Sequence, residues 1–174
     1  MILAGLGPEL PAYRMHTPRW SFQPLSGAGA AVAGGRLNRP GIDALYLALE
    51  PETAIEEFRQ DDPLVRPGTL VAYRVSIARV ADFRAGYDPA QWAPLWQELS
   101  CNWKRLAFLD EIEPPSWVIA DDVRAAGLAA VVFPSTRRIG GLNLVVYPDL
   151  LGADDRLLVH DPRMDLPIDP SSWR

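Results

Sequence analysis

The chain is poor in the residues that most often announce chemistry. It has a single cysteine, Cys101, and two histidines, His16 and His160, in 174 residues. One thiol excludes an intramolecular disulfide and fits a reducing compartment. The histidines stand near opposite ends, with no Cys or His at ligand spacing, so the sequence offers no metal site and none is expected. No apolar run approaches the ~18 residues of a membrane span, and the opening MILAGLGPELPAYR lacks the basic segment of an export signal. These absences lead us to expect a cytoplasmic protein with no membrane partner. Positive charge is also short, with a net charge of -5 and a pI near 5.0. An acidic balance argues against direct nucleic-acid binding, which needs a basic surface for the phosphate backbone. A Gly-Lys-Ser/Thr phosphate loop is missing, and Gly27 and Gly29 are followed by Val32 where a dinucleotide fingerprint needs its third glycine. No nucleophile elbow is written, although a Ser-His or Cys-His arrangement assembles in space and stays open on sequence alone.

What the chain does have is ordinary globular material. Hydrophobic residues make up 48% and charged residues 22%, and the length suits one domain with a substantial core, taken as residues 1–174. Seventeen prolines and thirteen glycines divide it into short elements joined by turns, which fits a loop-rich α/β or α+β fold. LPAYRM reads as a first strand, and residues 21–36 as a loop holding a small-residue helix. ALYLAL reads as a strand, PETAIEEF as a short helix with Pro51 in its first position, and GTLVAYRVSIA as the clearest strand. Apolar residues from Trp92 through Leu95, Trp96, Leu99, Trp103 and Leu106 have helical spacing and predict one helix carrying three tryptophans on a face, irregular at first because of Pro94. DDVRAAG predicts an Asp-capped helix ending at a glycine, followed by strands LAAVVF and LNLVVYP. The Asp- and Pro-rich tail, 160–174, is expected to be irregular.

Against this background a few polar residues stand out: Arg14 and Arg36 among small neighbours, Tyr46 on a strand, Glu56 and Glu57 on the next helix, and Ser135 in a loop. Each has a plain structural use, as a surface arginine, a core tyrosine, a solvated helix face or a turn cap. Their combination is what suggests a site.

The ordered set of motifs resembles the RES-domain toxins of bacterial RES-Xre toxin–antitoxin pairs. The matching residues are YR at 13–14, SGAGA followed by GGRLN, the tyrosine of LYLAL, the acid ending ETAIEE, FPS at 133–135, and GLNLVVYP. They run from about residue 13 to residue 148. The family's arginine, glutamate and serine fall on Arg36, Glu57 and Ser135, and the eleven-residue spacing from Tyr46 favours Glu57 over Glu56. Leu37 stands where many members have tryptophan.

The resemblance implies a small ADP-ribosyltransferase of the diphtheria-toxin type, with two packed β-sheets, flanking helices and a central NAD cleft. NAD would be the substrate, with no metal. Glu57, Tyr46 and Arg36 would be catalytic, and Arg14, Arg36, Tyr46, Ser135 and Asn143 would bind NAD. Arg36 would hold a phosphate, Tyr46 would stack on nicotinamide, and Glu57 would face the reacting ribose. The partners implied are an Xre-type helix-turn-helix antitoxin and a target protein such as phosphoribosyl pyrophosphate synthetase. Phosphorolysis or hydrolysis of NAD is the alternative within the same chemistry. A noncatalytic module that binds NAD or ADP-ribose is the alternative outside it.

Overall fold

A computed structural model describes residues 1–173. Two long strands dominate it, β1 (Leu3–His16) and β3 (Thr69–Asp82), paired antiparallel along most of their length. In β3, Val71, Tyr73, Val75 and Ile77 alternate inward, the period of two expected of a strand with one buried face. The shorter strands are β2 (Leu45–Ala48), β4 (Ala130–Pro134), β5 (Leu142–Val146) and β6 (Arg156–Val159). β4 and β5 are buried over nearly their whole length, because both faces of the sheet are covered there.

The order β1-β2-β5-β4-β3-β6, with β1 also bonded to β3, makes one hydrogen-bonded sheet whose pairing runs in a closed circuit through β1, β2, β5, β4 and β3. The implied architecture of two packed sheets is therefore corrected here to a single continuous sheet. The long strands pair on both sides, with β3 bonding β6 at Tyr73–Ser76 and β4 at Val80–Asp82. One buried cluster on the sheet joins Leu45, Val75, Ile77, Val132 and Leu144, and the other gathers Phe83, Trp92, Trp96, Ile119 and Val131.

The helices are α1 (Ala28–Ala33), α2 (Pro51–Arg59), α3 (Trp103–Phe108) and α4 (Pro115–Ala125). The tryptophan-bearing helix anticipated from Trp92 does not form as one element. Pro94–Ser100 is a 3-10 helix, Cys101 is extended, and Asn102 caps α3 by accepting from the Arg105 amide at 3.2 Å. Trp92 and Trp96 pack together with Phe83, centroids 4.2 Å apart for the tryptophan pair, whereas Trp103 turns to a different place beside a cleft. The asparagine cap overrides the apolar period.

The Asp cap expected at residue 121 is also replaced. α4 starts at Pro115, with Pro114 extended before it, so Asp121 and Asp122 lie inside the helix. Gly127 does end that segment, at φ 67°. β6 was not anticipated; it adds to one stretch of β3. The tail beyond it is irregular except for a short 3-10 turn at Pro170–Trp173.

Candidate active site

The site is built where β2, α2 and β5 meet. Glu50 precedes α2 and accepts from Thr53 Oγ1 at 2.8 Å and from the Leu142 amide at 3.2 Å, which ties the start of the helix to the start of β5. Two turns on, Glu57 returns to the same strand. Its Oε1 accepts from Asn143 Nδ2 at 2.6 Å and from Ser135 Oγ at 2.7 Å. Ser135 lies just past β4, and its hydroxyl oxygen also accepts from the amides of Arg137 and Arg138 at 3.0 and 3.1 Å. One carboxylate oxygen is thus fixed by two donors, and among the described residues Oε2 takes no partner. Glu56, by contrast, is spent on an ion pair with Arg59 at 2.6 Å.

Tyr46, on β2, is held just as firmly. Its hydroxyl donates to Asn38 Oδ1 at 2.7 Å and accepts from the Leu37 amide at 2.9 Å. Asn38 in turn donates to the carbonyls of Ala30, Arg39 and Ile42. Burial pushes the Tyr46 phenol well above the usual tyrosine range, so it stays protonated and serves as a hydrogen-bonding group. Gly35 is required beside it: a Cβ there would lie 2.6 Å from Asn38 Oδ1 and collide with the Tyr46 hydroxyl. The loop carrying Gly35 is anchored from outside by Trp117 Nε1, which donates to the Gly35 carbonyl at 2.7 Å. Arg39 adds ion pairs to Glu113 and Asp121.

Arg36 follows Gly35, and here the structure assigns more than the sequence suggested. Its Nη1 donates to the carbonyls of Leu99 and Cys101, at 2.9 and 2.8 Å, and so clamps the segment leading into α3. Among the described residues its Nε and Nη2 take no protein partner, and the guanidinium lines the cleft. Desolvation by burial lowers its proton affinity from the ordinary arginine value, opposed by Cys101, Glu57 and Tyr46.

Arg36, Tyr46, Glu57 and Asn143 all line one cleft of about 470 Å³, with Lys104 and Arg137 added to its walls. Arg14 does not line it. It lies in an adjoining cavity of about 290 Å³ that shares Tyr46, Glu57, Gln60 and Asn143 with the first. A third hollow, about 440 Å³, continues from there past Arg14, Phe58 and Arg66 to Trp20 and Val32. The three form a series that passes on either side of Glu57.

Arg14 is half-buried, with one bond of 3.2 Å from Nη1 to the Ser26 carbonyl, and desolvation lowers its pKa from the usual arginine value. Its neighbour His16 is a packing residue. Tyr73 gives its proton to the Pro24 carbonyl at 2.8 Å, so His16 Nε2 donates to the Tyr73 oxygen at 2.7 Å. Burial, with Arg14 adding to it, lowers the His16 pKa to about 4.

Sequence reasoning did not pick out Asn38, Gln60, Lys104 or Arg137. Asn38 stood inside the GGRLN motif and Arg137 two residues after Ser135. Gln60 and Lys104 carried no signal of their own. Among the described residues there is no group of three or more His, Cys, Asp or Glu placed to hold a metal ion. No helix among them is long and apolar enough to cross a membrane.

The RES domain model matches residues 11–169, and the chain is a member of the RES domain family. Among solved structures it is similar to a chain of the M. tuberculosis MbcT-MbcA toxin-antitoxin complex, with a TM-score of 0.60 and 18% identity over 90% of this chain and 84% of that one. At that identity the likeness is one of fold. No curated protein matches the chain in sequence.

Proposed function

We propose that this chain is an NAD-consuming toxin that transfers ADP-ribose to a cellular protein. The observation that carries the reading is the Glu57 carboxylate, fixed through Oε1 by Ser135 and Asn143 beside Tyr46 and Arg36 in one cleft. The bond to break joins the nicotinamide nitrogen to ribose C1′. Its electron pair leaves with nicotinamide, which departs neutral and needs no general acid. Positive charge then develops on C1′ and the ring oxygen, and a carboxylate already held in place stabilises it without reorganising. An acceptor oxygen or nitrogen bonds C1′ and gives up its proton.

Tyr46 offers a ring face for nicotinamide, since its hydroxyl is occupied on the far side by Asn38 and Leu37. Arg36 keeps free nitrogens for a phosphate, and Arg14 serves the other half of the dinucleotide from the adjoining cavity. Family membership supports NAD as the substrate, because RES domain toxins act on NAD. The toxin–antitoxin neighbour supports a toxin silenced by a cognate antitoxin, of the Xre helix-turn-helix type by family resemblance. An enzyme of nucleotide metabolism such as phosphoribosyl pyrophosphate synthetase is the target to try first.

Phosphorolysis is a second reading, favoured by three cations, Arg36, Lys104 and Arg137, around the same cleft. NAD labelled in its adenylate half, incubated with the protein and a cell extract, separates the outcomes. Label on a protein supports transfer, label in ADP-ribose phosphate supports phosphorolysis, and label in free ADP-ribose supports hydrolysis. Unaltered NAD, with no nicotinamide released, would overturn the reading in favour of a binding module.

A further inference from the structure

One exposed hydrogen bond joins two of the residues that line the cleft. Lys104 Nζ, on α3, donates to Gln60 Oε1, just past the end of α2, at 3.1 Å. Gln60 is conformationally unusual. It has φ 57° and ψ -118°, a region non-glycine residues rarely adopt and keep only where their surroundings impose it. It follows Glu57 by three residues and lines both the cleft and the adjoining cavity.

Lys104 is unusual in another way, since it is the only lysine in the sequence and every other strongly basic side chain is an arginine. A guanidinium is a rigid fork, whereas an ammonium is a mobile point charge with rotatable donors. The three cations lining the cleft differ accordingly. Arg36 is clamped to two carbonyls, and Arg137 is paired with the Asp61 carboxylate. Lys104 alone has a single exposed hydrogen bond, and its acceptor is a neutral amide oxygen. A phosphate oxygen in the same cleft is a stronger acceptor, because its negative charge adds a Coulomb attraction to the ammonium that a neutral amide oxygen lacks.

We infer that Lys104 is a reserve phosphate ligand, parked on Gln60 in the free protein and transferred to an anionic group of the substrate when one enters the cleft. α3 and the end of α2 are then linked through this bond in the free protein and released from each other as the ammonium leaves Gln60. The identity of that anion as the NAD pyrophosphate rests on the proposed function. The parking of Lys104 on Gln60 does not.

A single lysine makes the test direct. Reductive ¹³C-dimethylation leaves the ammonium charged with one N–H, and it labels only Lys104 and the amino terminus, whose signal serves as an internal control. In the full chain carrying Glu57→Gln, to prevent turnover, the Lys104 resonance is expected to shift on Gln60→Gly before any ligand is added. Inorganic pyrophosphate should then move it saturably, to the same end point with Gln60 or Gly at position 60. On unlabelled protein, Lys104→Met should weaken pyrophosphate binding about tenfold, as for loss of one charge-assisted bond, and Gln60→Gly should tighten it about two- to threefold by removing the competing acceptor. A ligand-free resonance indifferent to Gln60→Gly would overturn the inference, as would a resonance that pyrophosphate fails to move. If pyrophosphate moves it and NAD does not, the latch stands and the NAD reading is what fails.

Discussion

The two cavities that meet at Glu57 are built in opposite ways. In the cleft, the side chains nearest Glu57 are each fixed through one atom: Glu57 Oε1 by Ser135 and Asn143, the Tyr46 hydroxyl by Asn38 and Leu37, Arg36 Nη1 by Leu99 and Cys101. In the adjoining cavity Arg14 has one bond of 3.2 Å, and Arg66 rests on the Phe58 ring at 4.4 Å. The first arrangement suits a place where charge develops during a reaction, since fixed groups stabilise it without having to reorient. The second suits a place that grips the rest of a ligand, where side chains adjust on binding. Substitutions that loosen these fixed groups should therefore lower kcat, and those in the adjoining cavity should raise KM.

The largest effect is expected from releasing the carboxylate. Ser135→Ala combined with Asn143→Ala removes both donors to Glu57 Oε1, each a bond to a charged group contributing about 1.5–3 kcal/mol. Steady-state kinetics should show kcat lower by roughly 10²-fold or more, with KM changed far less. A fall confined to KM would place these residues on the binding side and dissolve the contrast.

Gly35→Ala should come next, as a loss of stability. Its Cβ would be forced into the Tyr46–Asn38 pair, and overpacking of this kind costs about 1–3 kcal/mol in chemical denaturation. Tolerance of the alanine would mean that the loop moves more freely than its anchoring by Trp117 and Arg39 implies.

Arg14→Lys tests the other cavity. Lysine keeps the charge and loses the fork, so KM for NAD should rise about tenfold while kcat stays within about twofold. A matching loss of kcat would make Arg14 part of the reaction half instead.

Much of this division was legible in the sequence because it rests on local signals. Pro51 opening a short helix and the alternation in GTLVAYRVSIA place α2 and β3 without tertiary information, while the choice of Glu57 came from the family resemblance, through its eleven-residue offset from Tyr46. What was illegible depends on contacts far apart in the chain. The carbonyls that Arg36 clamps are 63 and 65 residues away. Nothing in GGRLN announces that the same guanidinium shapes the segment before α3 while lining the cleft. The tryptophan run misled because helical spacing is indifferent to an asparagine that starts a second helix, and only packing decides that Trp92 and Trp96 go inward and Trp103 to the cleft. The strand β6 escaped for a related reason, since so short a strand is made by its partner β3 more than by its own residues.

A separate effect should appear in stability against pH. His16 has a pKa of about 4 in the fold, against an ordinary 6.5, through burial first and Arg14 second. Its contribution is fully present above about pH 6.5 and is lost as pH falls toward 4, where the unfolded chain takes the proton first. The loss should be on the order of 2–3 kcal/mol, and denaturation curves for His16→Gln should lack that part of the slope. An unaltered slope would show that the carboxylates, and not His16, set the acid limit.

Whether Glu57 acts through a carboxylate held in place is measured directly by nicotinamide release from NAD by the wild type, Glu57→Gln and Glu56→Gln, with NAD affinity determined for each by calorimetry. Glu57→Gln is isosteric and should slow release about 10²- to 10³-fold with NAD affinity nearly unchanged, while Glu56→Gln, which breaks only the pair with Arg59, should stay close to wild type. Equal rates for wild type and Glu57→Gln, or equal losses in both variants, would contradict it.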